Sequence, residues 1–117
     1  MELTLDEVKT LLIKRQMKIK VYTEEADILR DVTECLECLE GCCVIRQNAS
    51  NRSGIPDLII CYLGRFIAFE LKDNVGKPSP LQLEWARKIQ AAGGIHCVCF
   101  NTLSVIEALN SVCSAAS

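Results

Sequence analysis

Asp57, Glu70 and Lys72 stand at the open end of two apolar runs, Leu58–Leu63 and Phe66–Leu71, that are separated by Gly64-Arg65. The runs read as two strands joined by a tight turn. A charged side chain in an apolar strand is costly unless it is paired or bound to a metal. With Leu63-Gly64 as a two-residue loop closing Tyr62 on Arg65, the antiparallel register sets Asp57 directly opposite Glu70, on the same face. Glu70 and Lys72 are two apart, so they share a face wherever the strand is regular; a bulge or a longer loop would shift only the Asp57 register. Opposed carboxylates raise each other's pKa unless a cation sits between them, and oxygen ligands favour Mg²⁺ or Mn²⁺. A lysine beside such a cation orients or helps deprotonate a water, or offsets charge on a phosphate oxygen. These residues fit metal-dependent hydrolysis of a phosphodiester.

The flanking segments must hold that set in place. Gly54 permits close approach or an unusual backbone angle, and Pro56 stiffens the chain before Asp57. The polar stretch Asn48 to Gly54 reads as a loop after a first strand, Cys42–Gln47. Arg46, Arg52 and Lys77 are the expected nucleic-acid contacts, through phosphate. Upstream, Thr23 caps a helix in which Ala26, Leu29, Val32, Leu36 and Leu39 recur at helical spacing and which Gly41 ends. Downstream, Ser79-Pro80 opens a helix as cap and first helical residue. Gln82 falls in its first turn, Leu83, Ala86 and Ile89 or Gln90 form its packed side, and Ala92-Gly93-Gly94 ends it. Ile95–Phe100 reads as a strand buried on both faces, and a last helix carries Val105, Ile106 and Leu109.

Arg52-Ser53-Gly54-Ile55-Pro56-Asp57-Leu58-Ile59, Phe69-Glu70-Leu71-Lys72, Gly76-Lys77, Ser79-Pro80-Leu81-Gln82, Trp85 and Ala92-Gly93-Gly94 together resemble the VRR-NUC domains of the PD-(D/E)XK nuclease superfamily. The similarity runs from about Thr23 to about Ala108. It implies an α/β, restriction-endonuclease-like core, a mixed β-sheet flanked by helices. It also implies that Asp57 and Glu70 ligate Mg²⁺ or Mn²⁺, that Lys72 is the catalytic lysine, and that Gln82 lies near the active site. An acid on the first helix, Glu25 or else Glu24, is expected to join them. The family's small members resemble dimeric, structure-selective DNA nucleases, so a homodimer acting on branched DNA, including four-way junctions, is the expected setting.

The chain has 117 residues, half of them hydrophobic, enough for one ordinary domain with its own core. We divide it into residues 1–20, an N-terminal helix or arm, and residues 21–117, a single nuclease-type domain. In the first segment Thr4 and Glu7 suit a capping box. Lys14, Arg15, Lys18 and Lys20 form a basic run that is either a solvated helix end or an arm for DNA or a second copy. No stretch approaches a membrane span, and the amino end lacks an apolar segment with a cleavage site, so an intracellular, cytoplasmic protein is expected. The net charge of −2 gives no general attraction to nucleic acid and leaves that work to local basic patches and a metal ion.

The eight cysteines are expected to be free. Cys61, Cys97 and Cys99 lie inside apolar strands, where a thiol behaves as a small buried hydrophobe. Cys35-x-x-Cys38 is half of a zinc or redox motif with no second half of matching spacing. His96, the sole histidine, is expected to be structural. The rival to a nuclease is a catalytically inactive nucleic-acid-binding or structural protein on the same fold.

Overall fold

The computed structural model describes residues 2–16, 25–46, 54–72 and 77–115. Within them the chain forms helix α1 (Leu5–Gln16), helix α2 (Glu25–Glu37), strands β1 (Cys42–Arg46), β2 (Leu58–Tyr62) and β3 (Arg65–Leu71), helix α3 (Pro80–Ala91), strand β4 (Ile95–Cys99) and helix α4 (Thr102–Ala115). The strands make one mixed sheet in the order β1-β2-β3-β4. β1 pairs with β2 and β2 with β3 antiparallel, and β4 runs parallel to β3, with α3 as the crossover that a parallel pair requires.

The β2–β3 turn fixes the register. Leu63 and Gly64 both have positive φ, 51° and 84°, the type I′ geometry whose twist matches that of a hairpin. It sets Tyr62 against Arg65, and the pairing then runs to Leu58 against Phe69. Alternation sorts the strands into two faces. Leu58, Ile60, Tyr62, Ile67, Phe69 and Leu71 are buried with Ile28, Val32 and Leu36 of α2 and Val105, Ile106 and Leu109 of α4. Val8 of α1 joins that core, and Leu3 forms a bridge with Leu39.

The other face carries Cys61, Phe66, Ala68, Glu70 and His96. Helix α3 covers part of it: a Cβ on Gly94 would meet Ile89 at 2.8 Å and Phe66 at 3.0 Å. The cover is incomplete: Phe66 keeps 46% of its surface exposed, and Cys43 and Cys61, further from α3 across the sheet, are exposed.

Four expectations are corrected by the packing. Helix α2 stops at Glu37 rather than running to Gly41, because Leu39 leaves the helix to bridge Leu3. Leu83 is 57% exposed and the packed side of α3 is Gln82, Trp85, Ala86 and Ile89. Strand β4 is not buried on both faces, for Val98 is exposed beside the incomplete cover of α3. Cys61 is likewise exposed, as are Cys38 and Cys43, while Cys99 is buried. All eight thiols are free. Burial pushes Cys99 up to about 12, with Cys97 adding to the effect. No described helix is long and apolar enough to cross a membrane.

Candidate active site

The antiparallel ladder ends where the charged residues begin. Pro56 lies two residues beyond Leu58, opposite Leu71 if the register is continued, and its ring nitrogen has no proton to donate. The Asp57 carboxylate meets the facing strand there: its Oδ2 accepts the Leu71 backbone N–H at 2.8 Å. The same extension sets Asp57 across from Glu70. A side chain held by the neighbouring strand's backbone loses much of its rotamer freedom, as a metal ligand should.

Glu70 is 1% exposed. Its Oε1 accepts a hydrogen bond from Gln82 Nε2 at 2.8 Å. Gln82 in turn belongs to the start of α3. Ser79 is the N-cap, its Oγ accepts the Gln82 backbone N–H, and Gln82 Oε1 accepts the Ser79 backbone N–H at 2.8 Å. This reciprocal capping box satisfies two of the helix's orphan donors. It leaves the amide nitrogen of Gln82 to reach the buried carboxylate. The Ser-x-x-Gln spacing is the sequence signal for the cap, but the partner of the remaining amide is visible only in three dimensions.

Gly54 closes the arrangement from the other side. Its φ is +84°, and an added Cβ would lie 2.7 Å from the backbone carbon of Leu81. The chain leading to Asp57 therefore runs against the first turn of α3, a contact open only to glycine. Lys72 continues β3 through its backbone N–H to the Cys99 oxygen at 2.9 Å and is partly exposed. By strand alternation it lies on the Glu70 face.

Asp57, Glu70, Lys72 and Gln82 thus gather at one end of the sheet. Lys77 is exposed just before the α3 cap. Glu25 opens α2 in the backbone, but its side chain, the side chain of Arg46, and the whole of Glu24 and Arg52 lie outside the described residues. Among the described residues no three histidine, cysteine or acidic side chains converge on one point. The donors available are two carboxylates, hard oxygen ligands of the kind Mg²⁺ and Mn²⁺ take together with water and substrate phosphate. The residues fit such an ion.

His96, on the same face as Glu70, is half-buried. Among the described residues its Nε2 has no hydrogen-bond partner, and burial lowers its pKa.

A solved structure described as a "VRR_NUC domain" is similar to this chain, with 27% identity and a TM-score of 0.60, over 77% of this chain and 97% of the other. A second, a "VRR_NUC domain protein", shares 20% identity with a TM-score of 0.48, over 95% of this chain and 88% of the other. No family model matches the chain, and no curated protein does. A mixed sheet whose antiparallel pair ends in Pro-Asp and Glu-x-Lys, set between helices, defines a nuclease-type α/β domain with a restriction-endonuclease-like core. Within that class the chain is most readily compared with the VRR_NUC domain structure, to which it is similar over 77% of its length.

Proposed function

We propose that the protein is a Mg²⁺- or Mn²⁺-dependent endonuclease that hydrolyses phosphodiester bonds in branched or otherwise structured DNA. The observation that carries this reading is the meeting of Asp57 and Glu70 at the sheet end, each held by a backbone or amide donor, with Lys72 two residues beyond Glu70. Asp57 and Glu70 are the metal-holding residues. A divalent ion held there would polarise the scissile phosphate and make a water more nucleophilic at neutral pH. Lys72 orients the attacking water or helps to deprotonate it, and offsets charge on the phosphate oxygens as they become more negative. Gln82 acts through Glu70, fixing the carboxylate's orientation from a rigid helix start.

The substrate is held by phosphate contacts from Lys77, Arg46 and Arg52. A homodimer doubles the limited basic surface and presents paired sites suited to a four-way junction.

Mn²⁺ titration of the native protein tests the metal site. Binding that Glu70→Ala abolishes supports it, and binding unchanged in that variant overturns it. Cleavage of labelled duplex, single strand, flap, splayed arm and four-way junction tests the substrate, with preference for a branched form as the expected result. Equal cutting of linear duplex would reject structure selectivity. Light scattering at several concentrations, with and without DNA, tests the dimer, and monomer throughout would reject it.

A further inference from the structure

Two exposed cysteines face each other across the outer strand pair. Cys43 of β1 and Cys61 of β2 are direct register partners, and both are exposed. Opposed residues of an antiparallel pair point to the same face. This is the open face, where Cys61 is flanked on its other side by the half-exposed Phe66.

The hydrogen-bond phase of the ladder fixes their separation. Just outside it, Leu63 N–H donates to the Gly41 oxygen at 3.0 Å, which makes Gly41 and Leu63 a hydrogen-bonded pair. The alternation then makes Cys42–Tyr62 a non-hydrogen-bonded pair and Cys43–Cys61 a hydrogen-bonded one, with Cα atoms about 5.5 Å apart. That value lies inside the disulfide range. The Cβ atoms, at about 5 Å in such a pair, must close by roughly 0.5–1 Å to reach the usual disulfide separation.

We propose that Cys43 and Cys61 form an accessible dithiol that oxidised glutathione, or a disulfide of similar chemistry, converts to a reversible cross-strand disulfide. One thiol, as its thiolate, attacks a glutathione sulfur. The glutathione S–S bond breaks, a mixed disulfide forms and one glutathione leaves as thiolate. The second cysteine then attacks the protein sulfur of the mixed disulfide and releases the second glutathione. The balance is one protein dithiol plus one glutathione disulfide, giving one protein disulfide plus two glutathione thiols. The closure that the strands must make strains the bond, and strained exposed disulfides are the readily reduced ones.

The other thiols are poorer competitors. Cys99 is buried, and burial, with nearby thiols adding to it, pushes Cys42 up to about 11. Cys97 is also raised by burial. Cys38 is exposed but lies in the turn after α2, without a cysteine across a ladder.

The test treats the folded, reduced full-length protein with oxidised glutathione at neutral pH, followed by peptide mapping and intact mass. The expected product has lost two hydrogens, has two fewer titratable thiols, contains a Cys43–Cys61 cross-link, and returns to the dithiol with reduced glutathione without denaturant. In Cys61→Ser, Cys43 should keep a glutathione adduct instead of closing. A cross-link between other cysteines, stable adducts on both residues of the native protein, intermolecular bonds only, or no reaction would each overturn the proposal. A disulfide that resists reduction in the folded state would overturn its reversibility. These readouts need neither DNA nor metal and stand apart from the nuclease reading.

Discussion

Gln82 and Glu70 are joined by a hydrogen bond of 2.8 Å from the glutamine Nε2 to the glutamate Oε1. The oxygen of the same amide accepts the Ser79 backbone N–H. One side chain thus both caps α3 and fixes the buried acid of the sheet. Its two jobs separate by mutation. Ser79→Ala should cost about 1 kcal/mol of stability through the cap alone and leave most cleavage activity. Gln82→Ala should cost about 2–3 kcal/mol, since a bond to a charged group is lost as well, and should lower the cleavage rate by at least tenfold. Urea unfolding and initial cleavage rates on both variants check this.

Asp57 serves the backbone and, in the proposed function, a metal. Asp57→Asn keeps an oxygen that can accept the Leu71 N–H but removes the charge. It should fold with nearly native stability and bind Mn²⁺ poorly. Asp57→Ala loses both and should be about 1–2 kcal/mol less stable, the cost of an unmet partly buried donor. Equal Mn²⁺ affinity in native protein and Asp57→Asn would remove Asp57 from the metal site.

The two glycines with φ of +84° differ in what surrounds them. At Gly54 an added Cβ meets the Leu81 backbone at 2.7 Å, whereas at Gly64 nothing among the described residues lies within 4 Å. Gly64→Ala should therefore cost only the left-handed backbone term, about 1–2 kcal/mol. Gly54→Ala should cost more, by about a further 1–3 kcal/mol for the overpacking. Thermal or urea unfolding of the pair measures the difference.

Leu63 holds a φ of 51° with 63% of its surface exposed, and so gains little burial against the strain. Leu63→Asn, with a side chain better suited to that region, should raise stability by about 0.5–1 kcal/mol. A lower unfolding midpoint would mean that the contact of Leu63 with Gly41 outweighs the backbone term.

His96 gives a pH dependence of defined sign. Burial lowers its folded pKa below the usual 6.5. The folded state therefore binds fewer protons than the unfolded state as the medium acidifies. The contribution is fully present above pH 6.5 and is lost as pH falls through the lower folded value. The urea midpoint of the native protein should fall more steeply from pH 7 to pH 5 than that of His96→Asn. Parallel profiles would exclude His96 as the source.

Much of this arrangement was legible locally. Gly64 in a two-residue loop marked the β2–β3 register from Tyr62–Arg65 to Leu58–Phe69, whose continuation sets Asp57 across from Glu70. Ser79-Pro80 marked the start of α3 because cap and first-turn chemistry are local. What failed depended on distant partners. The end of α2 is set by Leu3, far away in sequence. The rotation of α3, which exposes Leu83, goes with the Gln82 bond to Glu70. The exposure of Cys61 and Val98 follows from how little of the second sheet face α3 covers, and strand periodicity carries no sign of that.

In the proposed function Asp57, Glu70 and Lys72 form a metal-dependent phosphodiesterase site. The most direct measurement is cleavage of labelled four-way junction and flap DNA in Mg²⁺, Mn²⁺ and EDTA, by native protein and by Lys72→Ala. The prediction is cutting with either ion, none in EDTA, and a loss of at least 100-fold in the variant with its fold and Mn²⁺ binding intact; removal of a charge-stabilising group commonly costs about 10²–10³ in rate. Cutting that persists in EDTA, or that Lys72→Ala performs at the native rate, would contradict it.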